Sequence, residues 1–429
     1  MTARRICAVI LIIFLLLLIP GCWDQREIEQ LAIVRAIAVD YLPGRKAPYL
    51  VTMVVLRPAD LAGGESGGGS GGGSQPLQLF SGVGASIDLA ITQTTTALSR
   101  RVYLSHAELV LVGEELARTG ITPVLDFIIR YPEIRNSVYL MFVPGRAQQV
   151  LPVPERLEEA VVSEMLGLLK NAEQIPFSDP QRAFEFLRDL LRHGQEPFLA
   201  VMQAPPPLEA TLPELQQVKE SAGGRQNGGQ GEGGGQGTSP GGGQQEEEKV
   251  LTVAGTAAFK NDKLAGIMDA RETRGYLWFT GNVRNAVIAV HDPGQPEAVI
   301  SMLVTRAQTK ITPVVKGDKV SFRVEVDTEG DISSQNTTTN LNTPEILRKL
   351  NSAIAGAVKV EMEQALQKMQ SLETDLVGFG AILGRKEPKL FGKLHKKWPR
   401  FFRTLEVDIT VKANIRRTGQ QGNVPAGYH

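Results

Sequence analysis

Cysteine is almost missing from this chain: of 429 residues only Cys7 and Cys22 carry a thiol. That excludes a disulfide framework and a cysteine-rich metal site. Histidine is also sparse, with five residues at positions 106, 193, 291, 395 and 429. None of them falls in an HExxH pattern or at paired-ligand spacing, so no metal site is expected. Charge of one sign is not in excess either, because 46 Lys plus Arg face 46 Asp plus Glu. That balance removes any overall electrostatic case for binding nucleic acid. Neither glycine tract runs into Gly-Lys-Ser/Thr, so no phosphate-cradling loop is present. Asp375 stands before Gly378-Phe379-Gly380, but without the lysine, glutamate or His-Arg-Asp partners of a catalytic loop. No nucleophile and base are paired, and no internal repeat suggests two ligand-clasping lobes. The chain is therefore read as non-enzymatic, with no cofactor and no small-molecule substrate of its own.

What is present begins at the N-terminus. Arg4-Arg5 precede an apolar run from Ile6 to Pro20, followed by Gly21-Cys22. The run is shorter than the roughly 20 residues of a membrane span. A positive start, a short apolar segment and a small residue before the cut are the parts of an export signal, here residues 1–21. The stretch Leu18-Ile19-Pro20-Gly21-Cys22 resembles a bacterial lipobox. That resemblance implies a diacylglyceryl group on the Cys22 thiol, removal of the preceding peptide and an N-acyl chain on the new terminus. Two or more acyl chains hold a protein at a membrane where one does so only marginally. An uncleaved anchor with an incidental cysteine is the competing reading.

Periodicity orders the rest. Leu31–Asp40 and Tyr49–Leu56 read as paired strands around Leu42-Pro43-Gly44. Leu77–Val83 reads as a third, and Ser86 as the cap of a helix running toward Arg100. Strand-like Ala107–Val112 and Ser137–Val143 enclose a helix opened by Thr122-Pro123. Glu155 to His193 is helical in pattern, with a break at Ile175-Pro176. This alternation gives an α/β, or mixed α+β, fold class of layered sheets and helices. Val250–Asp269 reads as a hairpin about Lys260-Asn261-Asp262. A helix of about 30 residues is expected after an Asn342 cap, with apolar residues at Ile346, Leu350, Ile354, Val358, Met362, Leu366, Met369, Leu372 and Leu376. A final strand alternates Leu405, Val407, Ile409, Val411, Ala413 and Ile415 with polar residues.

Glycine punctuates the chain unevenly. The tract 63–74 reads GGESGGGSGGGS and interrupts a strand-rich unit, so it is taken as a surface loop, its GGGS repeats also admitting an engineered splice. Residues 205–249, rich in Pro, Gly and Gln, are taken as an interdomain linker. The expected organisation is an N-terminal α/β domain over 22–204, a middle strand-rich domain over 250–300, a C-terminal domain with a long helix on a sheet over 301–419, and a flexible tail over 420–429.

Taken together these residues resemble the Ger(x)C spore germination lipoproteins, the C subunits of nutrient germinant receptors. The resemblance rests on Trp23-Asp24, Glu27-Ile28, Leu31-Ala32 and Asp40 directly behind the lipobox. It continues in the stretch from Ser99 to Ile121 with His106, Gly113-Glu114 and Ala117, in Ala254–Gly266, in Asp375–Gly380 and at Trp398. The two glycine tracts fit no part of the pattern. The resemblance implies three α/β domains and a lipid-anchored protein on the outer face of the spore inner membrane. Its partners would be a multispanning A subunit and a multispanning B subunit, and Trp23 and Asp24 would form a membrane-proximal tether. The function so implied is nutrient-triggered germination by assembly with those subunits; a solute-binding lipoprotein of a transport system is the rival.

One surface patch stands out on residue type alone. Lys389, Lys393, Lys396, Lys397 and Arg400 are interleaved with Phe391, Trp398, Phe401 and Phe402. A docking patch of Lys389, Lys393, Lys396, Lys397, Trp398 and Arg400 for anionic headgroups or an acidic partner is one expectation. A solvated segment whose aromatics pack inward is the other.

Overall fold

The structure, a computed structural model, describes residues 30–56, 77–153, 157–158, 160–204, 249–317, 319–336 and 339–418. The export signal, Cys22, Trp23, Asp24, the glycine loop 63–74, the linker up to residue 248 and the tail 420–429 lie outside the described residues. The fold is mixed α/β and multi-domain, built on two sheets.

Among the described residues ten strands form the first sheet. Its centre is parallel: β1 (Leu31–Tyr41), β5 (Leu109–Gly113), β6 (Tyr139–Val143) and β8 (Phe198–Gln203) lie side by side. Antiparallel strands extend both flanks. β2 (Tyr49–Leu56) and β3 (Leu77–Gly84) lie beyond β1, and β9 (Thr252–Lys260) and β10 (Lys263–Met268) beyond β8. Short β4 (Arg101–Tyr103) and β7 (Gln181–Arg182) add to β1 and β6.

Helices cover both faces, which is why the central strands are apolar without interruption. Val110 and Val112 of β5 meet α1 (Ile87–Thr95), α2 (Glu114–Thr119), α3 (Thr122–Arg130) and Phe186, whereas Leu109 and Leu111 meet α4 (Val161–Ala172). Phe186 belongs to α5 (Ala183–Leu191). The helix opened by Ser86 stops at Thr95, before β4, rather than reaching Arg100.

The second sheet runs β11 (Val287–His291), β12 (Val299–Lys316), β13 (Lys319–Gln335), β14 (Glu406–Arg417). Against it lie α6 (Ala270–Thr280) and the long helix α7 (Pro344–Ser371). The buried stripe of α7 is Leu350, Ile354, Val358, Met362, Leu366 and Met369, as its spacing predicts, but the helix ends at Ser371, so the expected Leu372 and Leu376 lie beyond it. Its N-cap is Thr343 rather than Asn342, because Pro344 takes the first helical position and Asn342 accepts instead from the Thr418 hydroxyl. Where α6 crosses α7, a Cβ on Gly275 would stand 2.2 Å from the Glu361 carbonyl oxygen, so only glycine permits this approach. The same crossing buries an Arg274–Glu361 ion pair, to which the Trp278 indole donates at 3.2 Å.

Sheet pairing corrects the expected segmentation. Residues 250–300 do not form a sheet of their own: β9 and β10 complete the first sheet, β11 joins the second, and the expected boundary at 300/301 falls inside β12. The tract 205–249 does not bridge two sheets either. Its flanks Gln203 and Thr252 are register partners on neighbouring antiparallel strands, so it is inserted into a hairpin. Leu56 and Leu77, flanking the first glycine tract, are register partners in the same way. The physical reason is that the ladders are non-local, and strand periodicity does not say which strand is the neighbour.

Deleting residues 205–248 leaves Ala204 and Lys249–Leu251 to close the β8–β9 hairpin. Loop-closure entropy then predicts a gain of about 2 kcal/mol. Chemical denaturation of the deleted chain checks this; a loss of stability would mean that the segment packs on the domain.

Candidate functional site

The residues that follow α7 gather around one carboxylate. Asp375 is buried, and its Oδ1 accepts from the amides of Gly378 (2.8 Å) and Phe379 (3.0 Å). Its Oδ2 accepts from the Gly380 amide (2.8 Å) and the Trp398 indole (2.9 Å). Asp375 thereby caps α8 (Phe379–Lys386) and ties it to α10 (Trp398–Phe402), with α9 (Pro388–Leu394) between them. Burial pushes its carboxyl up to about 6, while the four N–H donors pull the other way.

The glycines of Asp375–Gly380 have separate causes. Gly378 sits at φ +80, the left-handed region that other residues enter at a cost. A Cβ on Gly380 would lie 2.6 Å from the Trp398 ring and 2.7 Å from the Gly194 Cα. Here the turn after α5 meets the segment after α7 backbone to backbone, and the Ala381 amide donates to the Gly194 carbonyl at 2.9 Å. The Glu196 amide donates to the Asp375 carbonyl at 2.9 Å, and the Glu196 Oε2 accepts from the Asn261 amide at 2.8 Å. Burial pushes the Glu196 carboxyl up to about 7, with the Asp375 charge acting in the same direction. One turn thus joins the first sheet, the β9–β10 hairpin and the α7–α8 connection.

A second buried carboxylate does similar work in the first sheet. Asp40, at the end of β1, accepts from the amides of Ala147 (2.7 Å) and Gln148 (3.0 Å). Burial raises its pKa and those two amides oppose the rise. A Cβ on Gly113 would sit 2.0 Å from the Asp40 Oδ1, so Asp40 and Gly113 require each other. Glu114 accepts from the Gly145 amide at 3.0 Å and pairs with Arg118 at 2.6 Å. His106 is exposed beside the Tyr103 ring.

The chemistry of these groups is that of locks: each carboxylate is occupied by backbone or indole N–H groups. Among the described residues no group of three His, Cys, Asp or Glu is placed to hold a metal ion. No helix there is long and apolar enough to cross a membrane.

Of the expected site residues, Cys22, Trp23 and Asp24 lie outside the described residues. Lys389, Lys393, Lys396, Lys397 and Arg400 are exposed together on α9, α10 and the turn between them. Trp398 does not belong with them. It is 3% exposed, bonded to Asp375 and packed edge-on against Phe391 at 5.6 Å. Its indole N–H requires an acceptor when buried, and the carboxylate supplies one. Phe391 and Phe402 are buried too, so the aromatics support the cations from beneath rather than share their surface. Sequence reasoning missed Asp375 as a lock. Its signal was an aspartate three residues before Gly-Phe-Gly, the spacing of a side-chain cap.

Comparison with known proteins bears on the whole chain. The family model described as "Spore germination protein N-terminal domain" matches residues 24–204. The model "Spore germination B3/GerAC like, C-terminal" matches residues 254–419. Spore germination protein KC of Bacillus subtilis (strain 168) is 24% identical over 429 residues, covering 98% of this chain and 97% of the relative. Spore germination protein B3 of the same organism is 24% identical over 413 residues, covering 95% and 97%. The crystal structure of the GerBC protein aligns with a TM-score of 0.52 at 19% identity, covering 91% of this chain and all of that one. That likeness concerns the fold.

Asp375→Asn places amide hydrogens against N–H donors and is expected to cost about 3 kcal/mol, whereas Trp398→Phe, which removes one donor, costs about 2 kcal/mol. Equal stability of Asp375→Asn and the parent in urea would refute the lock. The raised Glu196 pKa carries a sign. Between its ordinary 4.5 and about 7 the folded state holds a proton that the unfolded chain has released. Stability therefore falls as pH rises through that window. Glu196→Gln, which keeps an acceptor for Asn261, should flatten this slope in thermal melts from about pH 4.5 to 7.5.

Proposed function

Since this chain belongs to the GerAC-like family of spore germination proteins, we propose that it is the lipid-anchored, non-enzymatic C subunit of a nutrient germinant receptor. The family places the protein in germination and associates it with the spore. The observation that carries the finer reading is the extent of the match: two family models and relatives aligned over nearly their full lengths. Cys22 behind its lipobox supplies the anchor, and Trp23 and Asp24 begin the tether. The membrane is the spore inner membrane, the protein lies on its outer face, and the partners are the multispanning A and B subunits. Buried carboxylates used as backbone locks suit a rigid subunit that acts by assembly.

Spores lacking this chain should fail to release dipicolinic acid for one set of nutrients, presented one set at a time so that parallel receptors do not mask the loss. The native gene restores release and a Cys22→Ala version does not. Normal release under every set, together with impaired uptake of a solute, would instead identify a transport lipoprotein.

A further inference from the structure

The cations of the C-terminal helices can be placed relative to the point where the chain enters the fold. In the first sheet Ala38, Leu111, Met141 and Ala200 share one level across four parallel strands. Counting back, Leu31 at the start of β1 and Gly194 before β8 both lie at the N-terminal edge of that sheet. Against Gly194 pack Gly380 of α8 and Phe391 of α9. The helices that bear the cations are therefore fastened to the edge from which residue 30 leads back toward Cys22. Gln30 lies eight positions after Cys22, a reach of at most about 29 Å at 3.6 Å per residue.

The patch itself is strongly one-sided in charge. Residues 385–403 carry eight cations and one carboxylate, Glu387, in a chain whose total charge is balanced. Lys389, Lys393, Lys396 and Lys397 are exposed, and none has a carboxylate within 4.0 Å among the described residues. Their backing is rigid, since Phe391, Trp398 and Phe402 are buried beneath them and Trp398 is bonded to Asp375. Leu191, at the end of α5 and two residues before His193, is 70% exposed. The His193 ring that follows it lies 5.9 Å from that of His395. An exposed leucine on α5, which leads into the turn these helices are fastened to, and lysines with no carboxylate partner among the described residues fit a surface of anionic headgroups. Lysine rather than arginine predominates, which favours diffuse charge over bidentate recognition of one protein carboxylate.

We propose that the Lys389–Arg400 face lies against anionic phospholipid headgroups, so that the acyl anchor and this face together fix the orientation of the protein on the membrane. The inference rests on the reading that Cys22 is acylated. Lipid and basic face are then two signals of the kind that stable membrane attachment requires.

The test uses the full acylated chain in vesicles of phosphatidylcholine alone or with about a third phosphatidylglycerol, where each lysine held at an anionic surface is worth about fivefold in partition. A water-soluble amine-acylating reagent and mass spectrometry then read every lysine. Acylation of Lys389, Lys393, Lys396 and Lys397 should slow about fivefold in the anionic vesicles and recover in about 1 M salt, where the Debye length shrinks to about 3 Å. Lys310 and Lys412, exposed on the second sheet, should react alike in both. Equal rates for the patch in the two compositions overturn the proposal. So does protection that appears only when membrane subunits are present, which would make the face a protein contact. Failure of the chain to float with neutral vesicles would refute the anchor separately. In that case flotation on anionic vesicles, and its loss in K389E/K393E/K396E/K397E, still decides the face.

Discussion

The constraint on which the C-terminal half depends is the buried Asp375 carboxylate. A carboxylate out of water costs several kcal/mol unless its lone pairs are met. Here they are met by four N–H groups and, among the described residues, by no cation: three amides at the start of α8 and one indole. Each demand places something else. The amides fix the left-handed turn at Gly378, the indole draws Trp398 inward, and the space that Trp398 occupies leaves room only for glycine at 380. Gly194 then closes on Gly380, and at this point the two halves of the molecule meet backbone to backbone.

Asp40 repeats the device in the first sheet, with Gly113 emptied to receive it. Glu361 differs, since its charge is matched by Arg274 and by the Trp278 indole at the α6–α7 crossing. The three carboxylates sit at junctions where elements distant in sequence meet. Polar groups buried in this way oppose alternative packings, because any slip leaves a charge without partners. Residues that a catalytic reading would inspect first are thus committed to architecture.

The topology also sorts what leaves the first sheet. The pair Leu56–Leu77 lies near Ile33, at the edge where the chain enters, whereas Gln203–Thr252 lies at the opposite edge, at the end of β8. The two glycine-rich insertions depart from opposite ends of one sheet. The cationic helices and the chain entry share the first of these ends. An anchored protein would then turn its basic face and the Leu56–Leu77 edge toward the membrane, and the Gln203–Thr252 edge away from it.

Local chemistry was legible in the sequence. Uninterrupted apolar runs marked β5 and β6, apolar residues recurring every three or four positions marked the buried stripe of α7, and alternation marked the face that β14 turns to the core. The family pattern of Trp-Asp, Gly-Glu and Asp-Leu-Val-Gly-Phe-Gly was also readable, as was the clustering of lysines. Tertiary structure alone decided that β9 and β10 close the first sheet, that the tract after Gln203 is a hairpin insertion, and that Trp398 turns inward while its lysine neighbours turn out. These outcomes depend on pairings across tens to hundreds of residues: Phe198 with Ala258, Gly194 with Gly380, Trp398 with Asp375. Periodicity reports which face of an element is apolar; the partner that covers it is chosen by packing and by the need to satisfy buried polar groups, which no local window contains.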